Sequence, residues 1–99
     1  MYEIKYAESV AADLANLPAH ERARILDSIE EQLKYEPTRR TRNRKILVGL
    51  VPPWEHVKPI WELRVGEYRV FYDVDEEASA VTIRAVRHKP PHKTTEEIL

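Results

Sequence analysis

Cysteine is absent from this chain. That excludes a disulfide framework, a thiolate metal site and a cysteine nucleophile, and it fits a reducing compartment. Glycine is nearly as scarce, with only Gly49 and Gly66 in 99 residues. A glycine-rich loop that cradles phosphates is therefore excluded. Long apolar runs are missing too. The longest, 46–53, is far too short to span a bilayer. The opening stretch from Tyr2 to Tyr6 already carries Glu3 and Lys5, unlike a secretory leader. These absences set the expectation of a cytoplasmic protein with no membrane partner. Bulk charge of one sign is also lacking: 16 basic and 17 acidic residues leave a net charge of −1. Net charge alone does not announce a nucleic-acid binder.

What is present is a composition able to fold. Hydrophobic residues make up 42% of the chain, enough for one small core. The expectation is a single domain over 1–99, with 90–99 a tail that carries a short helix or hangs loose. Charge is unevenly spread. Residues 38–49 hold Arg39, Arg40, Arg42, Arg44 and Lys45 and no acid. Residues 84–93 hold Arg84, Arg87, His88, Lys89, His92 and Lys93, again without an acid. Such asymmetry places an anion-attracting face on a near-neutral protein.

The pattern of apolar residues gives the elements. Residues 2–7 alternate as a strand. Ser9 is placed to cap a short helix with Val10, Leu14 and Leu17 on one face, which Pro18 stops. A second helix over 19–35 carries the stripe Ile25, Leu26, Ile29 and Leu33, with Glu30 and Lys34 as an i,i+4 pair. Pro37 ends it, and 38–58 is expected to be irregular because its prolines exclude an interior strand. Strands follow at 60–65, 68–74 and 80–86, the first two joined by a Gly66-Glu67 turn. The order is β-α-α-β-β-β. That is an α+β layout, two helices on one face of a small antiparallel sheet.

Within the strand Tyr68-Arg69-Val70-Phe71-Tyr72, Arg69 has no packing use. A guanidinium is a planar, permanently charged fork that matches phosphate oxygens. Arg87-His88-Lys89 ends the next strand with a second basic cluster.

The segment from Trp61 to Val74, the closing Ala85-Val86-Arg87-His88-Lys89 and the basic Thr41-Arg42-Asn43-Arg44-Lys45 resemble the RelE/ParE superfamily of bacterial toxins. The resemblance runs from Tyr2 to Lys89, and the hairpin is its specific part. It implies the toxin of a type II toxin–antitoxin pair. RelE-like members cut mRNA in the ribosomal A site without a metal. ParE-like members share the fold and poison DNA gyrase. Both are held by a cognate antitoxin protein, and the complex commonly represses its own operator DNA. Arg69 falls where the family places a phosphate-contacting arginine on the middle strand. Lys89 falls where RelE-like nucleases place a basic residue after the last strand, with His88 beside it. The chain departs from the best-known nuclease at Ile60 and Glu62, where lysines stand in that protein. It also has no tyrosine after Tyr72, and His92 is the nearest chemically useful residue to the expected one.

Metal-free RNA cleavage needs a base for the 2′-hydroxyl, an acid for the leaving oxygen and cations for the dianionic phosphorane. Arg69 and Lys89 suit the cationic role, His88 or His92 the acid and Glu62 the base. Arg39, Arg40, Arg42, Arg44 and Lys45, with Arg64 and Arg87, would hold RNA backbone. Each has a plainer reading. Arg69 pairs with Asp73 or Glu62 inside the sheet, and Glu62 supports an arginine. The Arg39-to-Lys45 run is a solvated loop or an antitoxin-binding edge. Trp54 and Trp61 are core or lid packing. His88 and His92 have helical metal-ligand spacing, but Pro90-Pro91 breaks such a helix, so no metal or other cofactor is expected. The remaining alternatives are a ParE-like, non-cutting toxin and an inactive relative that only binds antitoxin.

Overall fold

The computed structural model describes residues 1–99. Its order is β1 Glu3–Tyr6, α1 Glu8–Ala15, α2 Ala19–Leu33, β2 Arg44–Ile46, β3 Trp61–Val65, β4 Tyr68–Asp75, β5 Ala80–His88 and α3 Thr95–Ile98. The expected frame is there, with β2 as an addition and α3 as the short helix that was one of the two expectations for the tail. The five strands lie in the order β1-β5-β4-β3-β2. Pairing is antiparallel except between β1 and β5, which is parallel. The sheet is therefore mixed rather than purely antiparallel. Tight turns force β3, β4 and β5 to alternate in direction, whereas β1 is tied to the rest through helices and no turn dictates its sense.

Helix α1 starts two residues earlier than a Ser9 cap allows. Ala7 is its N-cap and has no side-chain cap. The Ala7 N–H donates to the Ile83 carbonyl at 2.9 Å, so the β1–β5 ladder runs straight into the helix. In α2 the predicted stripe is buried at Ile25, Ile29 and Leu33. Glu30 and Lys34 pair at 3.4 Å on its exposed side. Pro37 is buried beyond its end.

The main core lies between these helices and one face of the sheet. Val10, Ile25, Ile29 and Leu33 meet Leu63, Val70, Val81 and Ile83, all fully buried. Each such side chain stabilises the fold by about 1.5–3 kcal/mol relative to exposure. Trp61 stacks on Tyr72 in this layer with ring centroids 6.2 Å apart. The Tyr72 hydroxyl donates to the Pro37 carbonyl at 2.7 Å, which ties the chain after α2 to the core.

The opposite face is divided. One half holds Ile60, Phe71 and Ala85, covered by Leu47, Trp54, Ile98 and Leu99. Trp54 sits 5.6 Å from Phe71, a lid on this second cluster. Asp73 anchors the covering segment by accepting from the Val57 N–H at 2.8 Å, and it pairs with Arg84 at 2.7 Å. The other half of the face is polar.

Candidate functional site

Strand alternation decides which cations share that polar half. In β3, Trp61, Leu63 and Val65 point to the helices, so Glu62 and Arg64 point away. Register places Arg64 opposite Arg69, and Arg69 opposite Arg87. Three guanidinium-bearing residues thus form one row across three strands. Like charges directly opposite each other destabilise a sheet. The row persists because each member has a different outlet. Arg87 reaches the sheet edge and pairs with Asp13 of α1 at 2.8 Å. Arg64 extends into solvent. Arg69, only 9% exposed, folds back. Its Nη1 donates to the Gly66 and Tyr68 carbonyls, each at 2.9 Å, and its Nε lies 3.6 Å from Glu62 Oε1.

Around this row is a hollow of about 260 Å³ lined by Arg42, Asn43, Lys45, Glu62, Arg64, Arg69, Lys89 and Thr95. None of the lining residues is hydrophobic. Five are cations and one, Glu62, is an anion. β2 and the residues before it supply one wall, β3 and β4 the floor, the end of β5 a second wall and α3 the last. Glu62 is 2% exposed and held from three elements. Lys45 Nζ lies 3.6 Å from its Oε2, Arg69 Nε 3.6 Å from its Oε1, and Thr95 Oγ1 donates to Oε1 at 3.3 Å. Burial holds the Arg69 guanidinium below its ordinary value; Glu62 opposes that shift and Arg64 adds to it. The guanidinium nevertheless stays charged at neutral pH. The volume lies just under the roughly 300–1,000 Å³ of drug-sized sites, and the lining is unlike their apolar walls. The lining is cationic and polar, with charge suited to an anion rather than to an apolar ligand.

A larger hollow of about 440 Å³ lies along 47–52 and 56–60. Its only side chains able to carry positive charge are His56 and Lys58, so the cations concentrate in the smaller one.

A family model described as the ParE toxin of type II toxin–antitoxin systems, parDE, matches residues 4–89. The chain belongs to the RelE/ParE toxin superfamily. Solved structures agree. The toxin–antitoxin complex RelBE2 from Mycobacterium tuberculosis is similar at 26% identity and TM-score 0.69, over 89% of this chain and 98% of that one. The archaeal RelE–RelB complex from Pyrococcus horikoshii is similar at 26% identity and TM-score 0.69, over 94% and 98%. The isolated RelE toxin of Escherichia coli, at 18% identity, TM-score 0.69 and coverage of 98% and 94%, shares the fold. No curated protein sequence matches closely enough to add to these.

In this RelE/ParE toxin the structure brings Arg42, Lys45, Glu62, Arg64, Arg69 and Lys89 together. It does not bring the others there. Arg44 turns to the helix face and is buried. Its Nη1 donates to the Gln32 carbonyl at 2.8 Å and to the Glu36 carbonyl, closing the end of α2. Arg39 pairs with Glu36 at 2.9 Å, and Arg40 is exposed in the same loop. Arg87 belongs to the row but is engaged by Asp13. His88 falls on the helix side of β5, packed 5.1 Å from the Tyr68 ring, with Nε2 3.2 Å from Glu67. His92 is exposed in the turn before α3. No three His, Asp or Glu side chains assemble as metal ligands. Of the two internal partners expected for Arg69, Glu62 is the real one, because Arg84 occupies Asp73. Sequence reasoning missed Asn43 and Thr95. The capping box Thr94-x-x-Glu97 was the available signal for the second, since it starts α3 and so positions Thr95.

Proposed function

We propose that this toxin cuts ribosome-bound mRNA and that the cationic hollow seats the scissile phosphate. The observation that carries the reading is the convergence of five cations on one sheet face with no apolar lining. Arg64, Arg69 and Lys89 oppose the charge of the phosphorane, while Arg42 and Lys45 take a neighbouring phosphate. The 2′-oxygen attacks phosphorus and the bond to the 5′-oxygen breaks, leaving a 2′,3′-cyclic phosphate and a 5′-hydroxyl. The leaving oxygen takes its proton from the ammonium of Lys89, since His88 and His92 lie outside the hollow and Lys45 is on the neighbouring phosphate. The 2′-hydroxyl proton passes to solvent or to a ribosomal group, because Glu62 is already engaged through both oxygens. A cognate antitoxin is the protein partner, in keeping with the two complexes it resembles, and operator DNA is met only through that complex. The site of action is the cytoplasm.

The lack of an imidazole in the hollow favours one other reading, a ParE-like toxin that poisons DNA gyrase without cutting. The two separate cleanly. On programmed ribosomes the purified toxin should produce mRNA ends within the A-site codon, and Arg69→Ala should slow this by roughly 10²–10³. Intact mRNA together with accumulating gyrase–DNA cleavage complexes would sink the nuclease reading. Harmless expression without antitoxin would leave an inactive relative.

A further inference from the structure

Glu62 is an odd residue to find in the floor of an anion site. It is nearly inaccessible, it is the only carboxylate there, and both its oxygens face cations of the hollow. It also lies diagonally across the β3–β4 pair from Arg69: Glu62 is opposite Phe71, and Arg64 is opposite Arg69. It therefore gives Arg69 a counter-charge where its cross-strand neighbours, Arg64 and Arg87, are both cations. We propose that Glu62 is a built-in counterion that sets the threshold for anion entry, holding Arg69 and Lys45 until an anion of higher charge density draws them away. This rests on the reading of the hollow as a phosphate site and deepens it.

Two consequences follow from charge. A lone, singly charged anion gains little by competing with a carboxylate already in place. A phosphodiester run gains more, because its neighbouring phosphates also meet Arg42, Arg64 and Lys89 at the rim. Thr95 matters for the same reason. Its hydroxyl keeps one bond to Glu62 when Arg69 turns away, so the carboxylate is not left bare inside the sheet. The exposure of Lys45 allows the second cation to swing outward without disturbing the core.

The test compares the unmodified chain with Glu62→Gln, which keeps shape and hydrogen bonding but removes the charge. The probes are inorganic phosphate and a single-stranded RNA decamer, read by calorimetry and fluorescence anisotropy. Glu62→Gln should bind both roughly tenfold more tightly, as for removal of one charge about 6 Å from the anion at an effective dielectric near 40. Its RNA salt slope should steepen by about 0.7. Its melting temperature should be lower than that of the unmodified chain without anion, and phosphate should close the gap. Equal or weaker binding by a folded Glu62→Gln would mean that Glu62 merely props the cations in place, and the counterion role would fall while the phosphate site stood. No binding by either protein would overturn both. If Glu62→Gln does not fold, the Arg69 Nε–H resonance of the unmodified chain decides. It should move on RNA titration as the guanidinium leaves Glu62, and an unmoved resonance in a chain that binds RNA refutes the inference.

Discussion

Replacing Arg64 by glutamine removes one exposed guanidinium from the hollow and leaves the core alone. Its effect can be worked from the charges present. Five cations facing one carboxylate leave four uncompensated charges. Each phosphate neutralised on a single strand contributes about −0.7 to the slope of log affinity against log salt. The unmodified toxin should therefore show a slope of about −2.8 with a single-stranded RNA decamer, and Arg64→Gln a slope of about −2.1. Between 50 and 200 mM salt these correspond to affinity losses of about 50-fold and about 20-fold. Arg39→Gln is the control. Arg39 carries the same charge, lies in the same acid-free run and is paired with Glu36 outside the hollow. Its slope should match the unmodified chain. Fluorescence anisotropy at four or five salt concentrations measures all three. If Arg39→Gln flattened the slope as much as Arg64→Gln, the loop rather than the hollow would be the binding surface.

Other expectations concern the scaffold. Arg44→Ala should lose about 2–3 kcal/mol, because a charged donor to two α2 carbonyls disappears from a buried position, and the melting temperature should fall by roughly 10–20 °C. An unchanged melting curve would show that α2 closes without it. Gly66 has φ +59°, and a Cβ there would lie 2.7 Å from Arg24 Nη1. Gly66→Ala should cost about 1 kcal/mol in chemical denaturation, and Gly66→Asn less, since Asn tolerates this region better; the reverse order would contradict the backbone account. Burial pushes the Tyr72 hydroxyl above its ordinary value of 10.0. Its stabilising effect is complete below pH 10, where folded and unfolded chains are both protonated. It is lost as pH rises further, because the unfolded chain ionises first. Tyr72→Phe should thus be less stable than the unmodified chain at neutral pH, by about 1 kcal/mol, and that gap should narrow above pH 10.

Much of this architecture could be read from residue pattern, and the failures have physical causes. The α2 stripe and the Gly66-Glu67 hairpin follow from local periodicity and turn chemistry, and both stand in the structure. Strand β2 was hidden because three residues flanked by basic loop and prolines give too short an alternation to register. Once that strand exists, parity separates neighbours that composition treats alike. Arg44 faces α2 and becomes structural, while Lys45, one residue on, faces Glu62. Strand β5 outran its expected end because His88 pairs with Tyr68 across the sheet, a contact no local window contains. The same register turned His88 away from Arg69. The site was half legible. The cations Arg69 and Lys89 stood out as charge in an apolar context, but whether Arg69 met Asp73 or Glu62 depended on Arg84 claiming Asp73 from the next strand.

The most direct measurement is the position of a heavy tetrahedral anion in crystals of the toxin soaked in tungstate. The account predicts one dominant anomalous peak within hydrogen-bond reach of Arg64, Arg69 and Lys89, with Arg69 turned from Glu62. A peak at Arg39 and Arg40 instead, or an empty hollow with Arg69 still against Glu62, would contradict it.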